Sequence, residues 1–258
     1  YEIDVMKKAC RISAESHVEA MKFVKPGMTE QEMEAFYLYE FAKRGGRFSA
    51  YTPIVAGGEN ACVLHYVENS KPLLDGDLLL VDAGCEYDFY ASDITRTFPV
   101  SGKFTDAQLA IYEVVLEAES KAIAAVSVNN NVMDAQIISE KVVTQGLIDL
   151  GILTGSVDDL HAKGAFKEFY MHKIGHWLGI DVHDAGDYME DDQFMQFKPG
   201  MVTTIEPGIY IPSSANVDDK WKGIGIRIED DILVTPDGNE NLTQFVPSDP
   251  KEIEALMA

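Results

Sequence analysis

The spacing of hydrophobic residues predicts two copies of one arrangement, in which two helices are followed by strands. Residues from about 4 to 24 carry apolar positions at helical intervals, and Pro26-Gly27 ends that pattern. Thr29 and Glu32 form a capping box, which predicts a second helix that runs toward Gly45-Gly46. The strand-like stretches after it are Tyr51 to Ala56, Asp77 to Asp82 and Ala91 to Val100.

The second half of the chain repeats this order of elements. Thr105 and Gln108 form another capping box, and Asn129 to Asn131 separate its helix from a further helix over about 134–150. We therefore predict one domain over residues 1–258, built from pseudo-symmetric halves of about 1–103 and 104–258. The strands predicted in the second half lie around Met201 to Ile205, Tyr210 and Ile226 to Thr235.

Five potential metal ligands lie in short strand-like or glycine-punctuated segments of the two halves. They are Asp82, Asp93, His176, Glu206 and Glu229. Gly76 precedes Asp82 by six positions and Gly200 precedes Glu206 by six, which supports an internal duplication. A charged group at the end of an apolar strand is costly to bury unless something pairs with it. Four carboxylates and one imidazole suit two divalent cations such as Mn, Co or Zn.

Such a ligand set predicts hydrolytic chemistry. Two metals roughly 3.5–4 Å apart can hold a bridging water, lower its pKa and polarise a substrate carbonyl group. Further polar residues that suit this chemistry are His65, His172, His183 and Arg227. Taken alone, His65 is better explained as a core histidine beside Tyr66. The spacing of His172 and His176 matches a helical zinc pair, but the glutamate of the His-Glu-x-x-His motif is missing and nearby glycines favour a turn.

Composition narrows the classes of partner and compartment. The 258 residues carry 21 Lys and Arg against 43 Asp and Glu, a net charge of −22 that argues against nucleic acid or an anionic membrane as partner. No apolar run approaches the roughly 18 residues that a membrane span needs. Three widely spaced cysteines predict neither a disulfide framework nor a zinc ribbon, which favours the reducing cytoplasm. Because the chain begins with Tyr1, we expect a fragment or a processed form.

Five segments together give the chain a family resemblance. They contain Leu80 to Gly84, Ser92 to Phe98, His176 to Asp184, Thr204 to Tyr210 and Gly225 to Asp231. In this order they resemble the M24 metallopeptidases, and within that family the bacterial aminopeptidase P group. The likeness spans nearly the whole chain. It implies an α+β pita-bread fold, with two pseudo-symmetric halves around a curved antiparallel sheet and helices outside.

The resemblance also implies a role for each candidate site residue. It makes Asp93 and Glu229 bridging ligands of two metal ions, usually Mn(II), with Co(II) or Zn(II) as alternatives, and Glu206 a proton shuttle as well as a ligand. Arg227 matches an arginine that contacts the ligands and takes part in catalysis, and Tyr210 is expected to contact the substrate. The full metal set is Asp82, Asp93, His176, Glu206 and Glu229, and the substrate and transition-state histidines are His65, His172 and His183.

The activity implied is hydrolysis of the N-terminal Xaa-Pro bond of peptides through a metal-bridging hydroxide. The alternatives are a prolidase restricted to Xaa-Pro dipeptides, a methionine aminopeptidase, and a non-enzymatic interaction domain of the same fold. Two departures from the family pattern stand out. Lys173 occupies a position where many relatives carry glycine, and the N-terminal domain that helps this group to form homo-oligomers is absent from the sequence.

Overall fold

The computed structural model describes residues 1–258 and contains six α-helices and twelve short strands, all paired antiparallel. The helices are α1 (Glu2–Phe23), α2 (Glu30–Arg44), α3 (Asp106–Ala125), α4 (Val132–Asp149), α5 (Val157–Ala162) and α6 (Pro250–Met257). The strands of the first half are β1 (Phe48–Ser49), β2 (Ile54–Gly57), β3 (Leu78–Asp82), β4 (Cys85–Glu86) and β5 (Thr95–Pro99). Those of the second half are β6 (Met189–Glu190), β7 (Gln193–Phe194), β8 (Val202–Ile205), β9 (Gly208–Ile211), β10 (Ile224–Arg227), β11 (Asp230–Thr235) and β12 (Gly238–Asn241).

Both predicted capping boxes are present and begin corresponding helices. The Thr29 hydroxyl accepts a hydrogen bond from the backbone N–H of Glu32, whose carboxylate accepts the Thr29 N–H at 2.7 Å. Thr105 and Gln108 make the same reciprocal pair at the start of α3. These pairs satisfy backbone donors that the first turn of a helix otherwise leaves free. Gly45 ends α2 in the left-handed conformation, with φ 100°. The predicted starts of α2 and α3 are therefore confirmed.

Two antiparallel sheets carry the repeated strands. In the first half, β3 lies between β2 and β5. In the second half, β8 pairs with β11 and also bridges Trp177, while β12 lies beyond β11. The two sheets meet where Thr95 of β5 forms an antiparallel bridge with Glu229. The order of helices and strands thus repeats, and the equivalent strands β3 and β8 both end beside this junction.

The strands are shorter than the apolar runs predicted. The strand predicted to begin at Tyr51 is β2, which begins at Ile54. The residue before it is Pro53, which has no N–H to donate to a ladder. The run predicted as one strand over residues 226–235 divides into β10 and β11. The division occurs because Ile228 and Glu229 donate their backbone N–H groups elsewhere, to Pro207 at 3.3 Å and to Thr95 at 3.0 Å. This break is what leaves Glu229 at the junction of the sheets.

A continuous hydrophobic core joins the two halves. Buried side chains from α1, α2, β5, α3 and β10 belong to one cluster, for example Ile12, Tyr37, Phe98, Ile111 and Ile226. Because this cluster includes helices and strands of both halves, burial of its apolar surface ties them together. None of the helices combines the length and the apolar character that crossing a bilayer requires.

Candidate active site

The first half contributes two carboxylates to a cavity between the sheets. Asp82 is the last residue of β3, and Asp93 lies just before β5. The Tyr51 hydroxyl lies within hydrogen-bond distance of both carboxylates, at 2.6 Å for Oδ1 of Asp82. The other oxygen of Asp82 accepts a hydrogen bond from Nη2 of Arg227 at 2.7 Å. These contacts fix the orientation of Asp82 and bring the two side chains together.

Close backbone packing brings the loop containing Asp93 to the end of β3. A methyl group at Gly84 would lie only 1.7 Å from the carbonyl oxygen of Ser92, so only glycine permits this approach. Asp231, on β11, accepts the backbone N–H of Asp93 at 3.0 Å. A strand of the second half therefore helps to hold a candidate ligand of the first half.

The second half contributes the histidine and the remaining glutamates. The sequence predicted that the segment around His176 is not helical, and the structure agrees. His176 pairs with both the backbone and the hydroxyl group of Thr204. Glu206 follows β8, and its N–H donates to Ile174 at 2.7 Å. Glu229 accepts the Thr95 hydroxyl at 2.6 Å. His176 and Glu206 are thus anchored through their backbones, and Glu229 through its carboxylate.

The structure brings all five predicted ligands to one cavity of about 590 Å³. The ligand atoms of Asp93, His176 and Glu229 lie within 4.8 Å of one another. Nε2 of His176 is 3.4 Å from a carboxylate oxygen of Asp93 and 3.6 Å from one of Glu206. Asp82 lines the same cavity and accepts a hydrogen bond from Arg227. Residues that are almost 150 positions apart in sequence therefore converge.

The electrostatics of this cluster are unfavourable for carboxylates alone. Burial raises the pKa of Asp93, Glu206 and Glu229, and the negative charges of neighbouring carboxylates raise these pKa values further. Burial opposes protonation of His176, but its hydrogen bond with Asp93 and the surrounding carboxylates outweigh burial and raise its pKa to about 9. Ionising all of these carboxylates without a counter-charge is therefore costly, and a bound cation would remove that cost.

The donor set fits divalent metal ions. Ligand atoms that share a cation at bonds of about 2.0–2.2 Å can be at most about 4.4 Å apart, close to the spacing of Asp93, His176 and Glu229. Carboxylate oxygens and one imidazole nitrogen suit hard or borderline cations. Asp82 and Glu206 line the same cavity and extend the group beyond the three ligands of a single compact cluster. The residues present thus fit a metal centre.

His172 is held by the protein through both of its ring nitrogens. The carbonyl oxygen of Lys173 can only accept, so Nδ1 of His172 donates to it at 2.8 Å. Nε2 then accepts the Tyr210 hydroxyl at 2.8 Å, and the same hydroxyl accepts from Nη1 of Arg227 at 2.9 Å. Burial, followed by the charge of Arg227, lowers the pKa of His172 to about 4. His172 is therefore a neutral member of a hydrogen-bond chain that leads to Asp82.

The other two predicted histidines lie at the mouth of the cavity. His65 and His183 are exposed and line it, and the His183 ring is 4.3 Å from that of His176, measured between centroids. The histidine side chains that hydrogen-bond within the chain are those of His17, His161, His172 and His176. The ring nitrogens of His65 and His183 are thus available to a ligand.

Three contributors to the site were not predicted from the sequence. Tyr51 joins Asp82 to Asp93, Thr95 holds Glu229, and Asp231 supports Asp93. The sequence offers a signal only for Asp231. It follows Glu229 and Asp230 inside a predicted strand, where a buried acidic residue needs a partner. Tyr51 and Thr95 look like ordinary strand residues, and only the tertiary structure reveals their contacts.

Comparison with known proteins assigns the chain to a family. The family model "Metallopeptidase family M24" matches residues 4–236. The Xaa-Pro aminopeptidase of Haemophilus influenzae is 51% identical over 256 residues, which cover 99% of this chain and 59% of that protein. The chain therefore spans about three fifths of the length of the curated relatives that it matches.

Solved structures agree with the fold. The structure of Pseudomonas aeruginosa aminopeptidase PepP superposes with a TM-score of 0.98 at 51% identity, covering 99% of this chain and 58% of that one. Zn-substituted Escherichia coli aminopeptidase P in complex with product gives a TM-score of 0.97 at 49% identity, with 99% and 58% covered. The predicted pita-bread fold, with two pseudo-symmetric halves, is confirmed. The chain belongs to metallopeptidase family M24.

Proposed function

We propose that this chain is the catalytic unit of a Xaa-Pro aminopeptidase, a hydrolase that uses two divalent metal ions. The observation that carries the proposal is the convergence of four carboxylates and one imidazole on a single cavity. The similar proteins of Haemophilus influenzae and Pseudomonas aeruginosa, which are named as aminopeptidases, supply the reaction class.

The proposed metal ligands are the five residues of the sequence prediction. Asp93 and Glu229 would bridge the two ions, which we propose to be Mn(II), with Zn(II) or Co(II) as substitutes. A bound pair would lower the pKa of the attacking water and place positive charge beside the developing oxyanion. Support comes from the donor set, since oxygen ligands with one imidazole suit Mn(II). The remaining ligands in this assignment are Asp82, His176 and Glu206.

The side chains of the cavity would divide the remaining work. Glu206 would accept a proton from the attacking water at its carboxylate oxygen and pass it to the proline nitrogen as the C–N bond breaks. His65 and His183, with free ring nitrogens, would donate hydrogen bonds to the scissile carbonyl oxygen. Arg227 would hold Asp82 in position, and Tyr210 would hold His172. Because both ring nitrogens of His172 are already bonded, His172 would help to orient this group of side chains.

Proline at the second position is the proposed specificity. A proline after the scissile bond has no amide hydrogen and a fixed φ, so a site must recognise its ring and carbonyl group instead. Ile54, Leu64 and Val67 line the cavity and would provide an apolar surface for the ring. The free amine of the substrate would bind a metal or a nearby carboxylate, which limits cleavage to the first residue.

The cellular setting is part of the same proposal. The substrates would be peptides, and the net charge of −22 supports neither nucleic acid nor an anionic membrane as partner. On the basis of the sequence prediction, we place the enzyme in the cytoplasm as a homo-oligomer. Residues 1–258 would act as one domain with halves that meet near residue 103.

The decisive experiment compares peptides with and without proline at the second position. The Mn-loaded protein should release one N-terminal residue from Ala-Pro-Ala, and acetylation of the N-terminal amine should abolish release. Elemental analysis should approach two metal equivalents per chain, and Asp93→Ala should reduce that number. Cleavage of Met-Ala peptides in preference to Ala-Pro-Ala would indicate a methionine aminopeptidase, and cleavage restricted to dipeptides would indicate a prolidase.

A further inference from the structure

Lys173 is the one exposed cation that lines the cavity. The other cationic residue of the lining, Arg227, is buried and bonded to Asp82 and Tyr210. The lysines that form ion pairs in this chain do not include Lys173. A cationic side chain without a carboxylate partner therefore lies at the mouth of the proposed active site.

The position of this ammonium group is defined by its surroundings. Nζ of Lys173 lies 5.5 Å from the centroid of the Tyr188 ring, within the range of a cation–π contact. Tyr188 in turn stacks on Trp177, with ring centroids 5.2 Å apart and an angle of 11° between the rings. The Tyr188 hydroxyl accepts the backbone N–H of Trp177 at 3.1 Å. The Lys173 carbonyl is fixed by His172 at 2.8 Å. Both the backbone and the head group of Lys173 are thus held.

The other charges of the rim favour an anion at Lys173 rather than elsewhere. Asp184 lines the same cavity and would repel a carboxylate. The chain as a whole carries a net charge of −22, so a long-range field does not attract anions. An anionic group of a substrate therefore finds its attraction locally, at the free donors of Lys173.

We propose that Lys173 is a specificity residue, which binds a carboxylate that the peptide substrate carries beyond the scissile bond. This inference rests on the proposed aminopeptidase function. Two sources provide this chemistry, namely the C-terminal carboxylate of a short peptide and an acidic side chain of a longer one. An exposed ion pair typically contributes up to about 1 kcal/mol, which corresponds to about a fivefold difference in binding.

The test compares each carboxylate peptide with its neutral counterpart on the Mn-loaded protein. We expect KM for Ala-Pro-Ala to be about fivefold lower than for its C-terminal amide, and the difference to shrink at high salt because exposed charges are screened. Lys173→Met should bring the ratio of the two KM values close to one, Lys173→Arg should preserve it, and Lys173→Glu should invert it. Lys163→Met, which removes an exposed lysine outside the cavity, should keep the original ratio.

A second pair of peptides distinguishes the two sources of the carboxylate. If Ala-Pro-Glu amide binds better than Ala-Pro-Gln amide, and Lys173→Met abolishes the difference, the side chain is the group recognised. If only the free terminus of Ala-Pro-Ala has an effect, the C-terminal carboxylate is recognised. A Lys173→Met protein with unchanged ratios for both pairs would overturn the proposal.

Calorimetry separates failure of this inference from failure of the proposed function. The dipeptide Pro-Ala and its amide can be titrated into the Mn-loaded protein and its Lys173→Met variant without any turnover. A preference for the acid that disappears in the variant supports the role of Lys173 even if no peptide is cleaved. The role is contradicted, even if Ala-Pro-Ala is hydrolysed, when the unsubstituted protein binds Pro-Ala and its amide equally and also binds Pro-Glu amide and Pro-Gln amide equally.

Discussion

His17 couples the first helix to the backbone beside Asp82 through a fully buried imidazole. Its Nε2 donates to the carbonyl oxygen of Ala83 at 2.9 Å, and its Nδ1 accepts the Tyr37 hydroxyl at 3.0 Å. This complete burial makes His17 a structural residue. Because both nitrogens are already used, a neutral ring satisfies the site and a charged one does not.

The ionisation of His17 predicts a loss of stability at mildly acidic pH. Burial lowers its pKa in the folded state to about 4, against an ordinary value of 6.5. Between these pH values only the unfolded chain binds the proton, so the free energy of unfolding falls as the pH decreases from about 6.5 to 4. The contribution of His17 to this loss is about 3 kcal/mol.

Urea unfolding of the metal-free protein at pH 7, 6 and 5 tests this prediction. His17→Gln should be less stable at pH 7, and the gap between variant and parent should narrow as the pH falls. His161→Gln serves as the control, because His161 is only half-buried and its partner Glu140 lies on the neighbouring helix α4. If the free energy of unfolding of His17→Gln changes with pH in the same way as that of the parent protein, His17 is not responsible for the pH dependence.

At the scale of elements, a glycine in each half allows a loop to pack closely against the backbone near the end of a strand. A methyl group at Gly84 would lie 1.7 Å from the Ser92 carbonyl oxygen, and one at Gly175 would lie 1.9 Å from that of Thr204. Each glycine adjoins proposed ligands of its own half. The close approach of two backbones, rather than a side-chain contact, therefore sets the separation of the ligands.

Alanine at either glycine should impair metal binding as well as stability. Gly84→Ala and Gly175→Ala must separate the paired backbones, so we expect at least a tenfold loss of Mn affinity, measured by calorimetry. Gly151→Ala is the matched control, because its φ of 73° makes alanine strained while the surrounding space is open. That strain should destabilise the fold by about 1 kcal/mol without affecting the metal. Mn affinities as high as that of Gly151→Ala would refute the proposed role of the two glycines.

The division of the last long apolar run is a further element-scale result. The sequence predicted one strand over residues 226–235, where Ile226, Ile228 and Ile232 to Val234 are apolar. Hydrogen bonds to Pro207 and Thr95 remove Ile228 and Glu229 from the ladder and separate β10 from β11. Both partners are distant in sequence, so local periodicity could not indicate the break.

Across the whole molecule, the candidate metal centre lies where the two sheets join. Glu229 bonds to Thr95 through both backbone and side chain, and Arg96 donates to the Glu229 carbonyl at 2.7 Å. Arg96 is itself completely buried and pairs with Asp230 at 2.7 Å. A cation held by ligands from both halves would therefore stabilise the junction, and not merely a local loop.

Metal binding should consequently raise the stability of the entire fold. A ligand that binds only the folded state at a hundred times its Kd adds about 2.7 kcal/mol, so Mn should raise the midpoint of thermal unfolding. Glu229→Gln removes a buried carboxylate charge. Its metal-free form should be at least as stable as the parent, while its stabilisation by Mn should be much smaller. Differential scanning calorimetry with Mn or with a chelator measures both effects, and identical midpoints in the two conditions would contradict this prediction.

The sequence by itself determined the repeating order of helices and strands, the capped starts of α2 and α3, and the set of residues suited to a metal centre. These features depend on local spacing, on turn chemistry and on the high cost of burying an unpaired charge, all of which can be read over short stretches of chain. The resemblance of five segments to the M24 family added the fold.

Only the tertiary structure decided which groups hold these residues in position. Tyr51 between two carboxylates, Asp231 on the backbone of Asp93, and Lys173 above Tyr188 all depend on contacts between distant segments. Such contacts arise from the packing of the two halves around one core, and that packing leaves no periodic signal in the sequence.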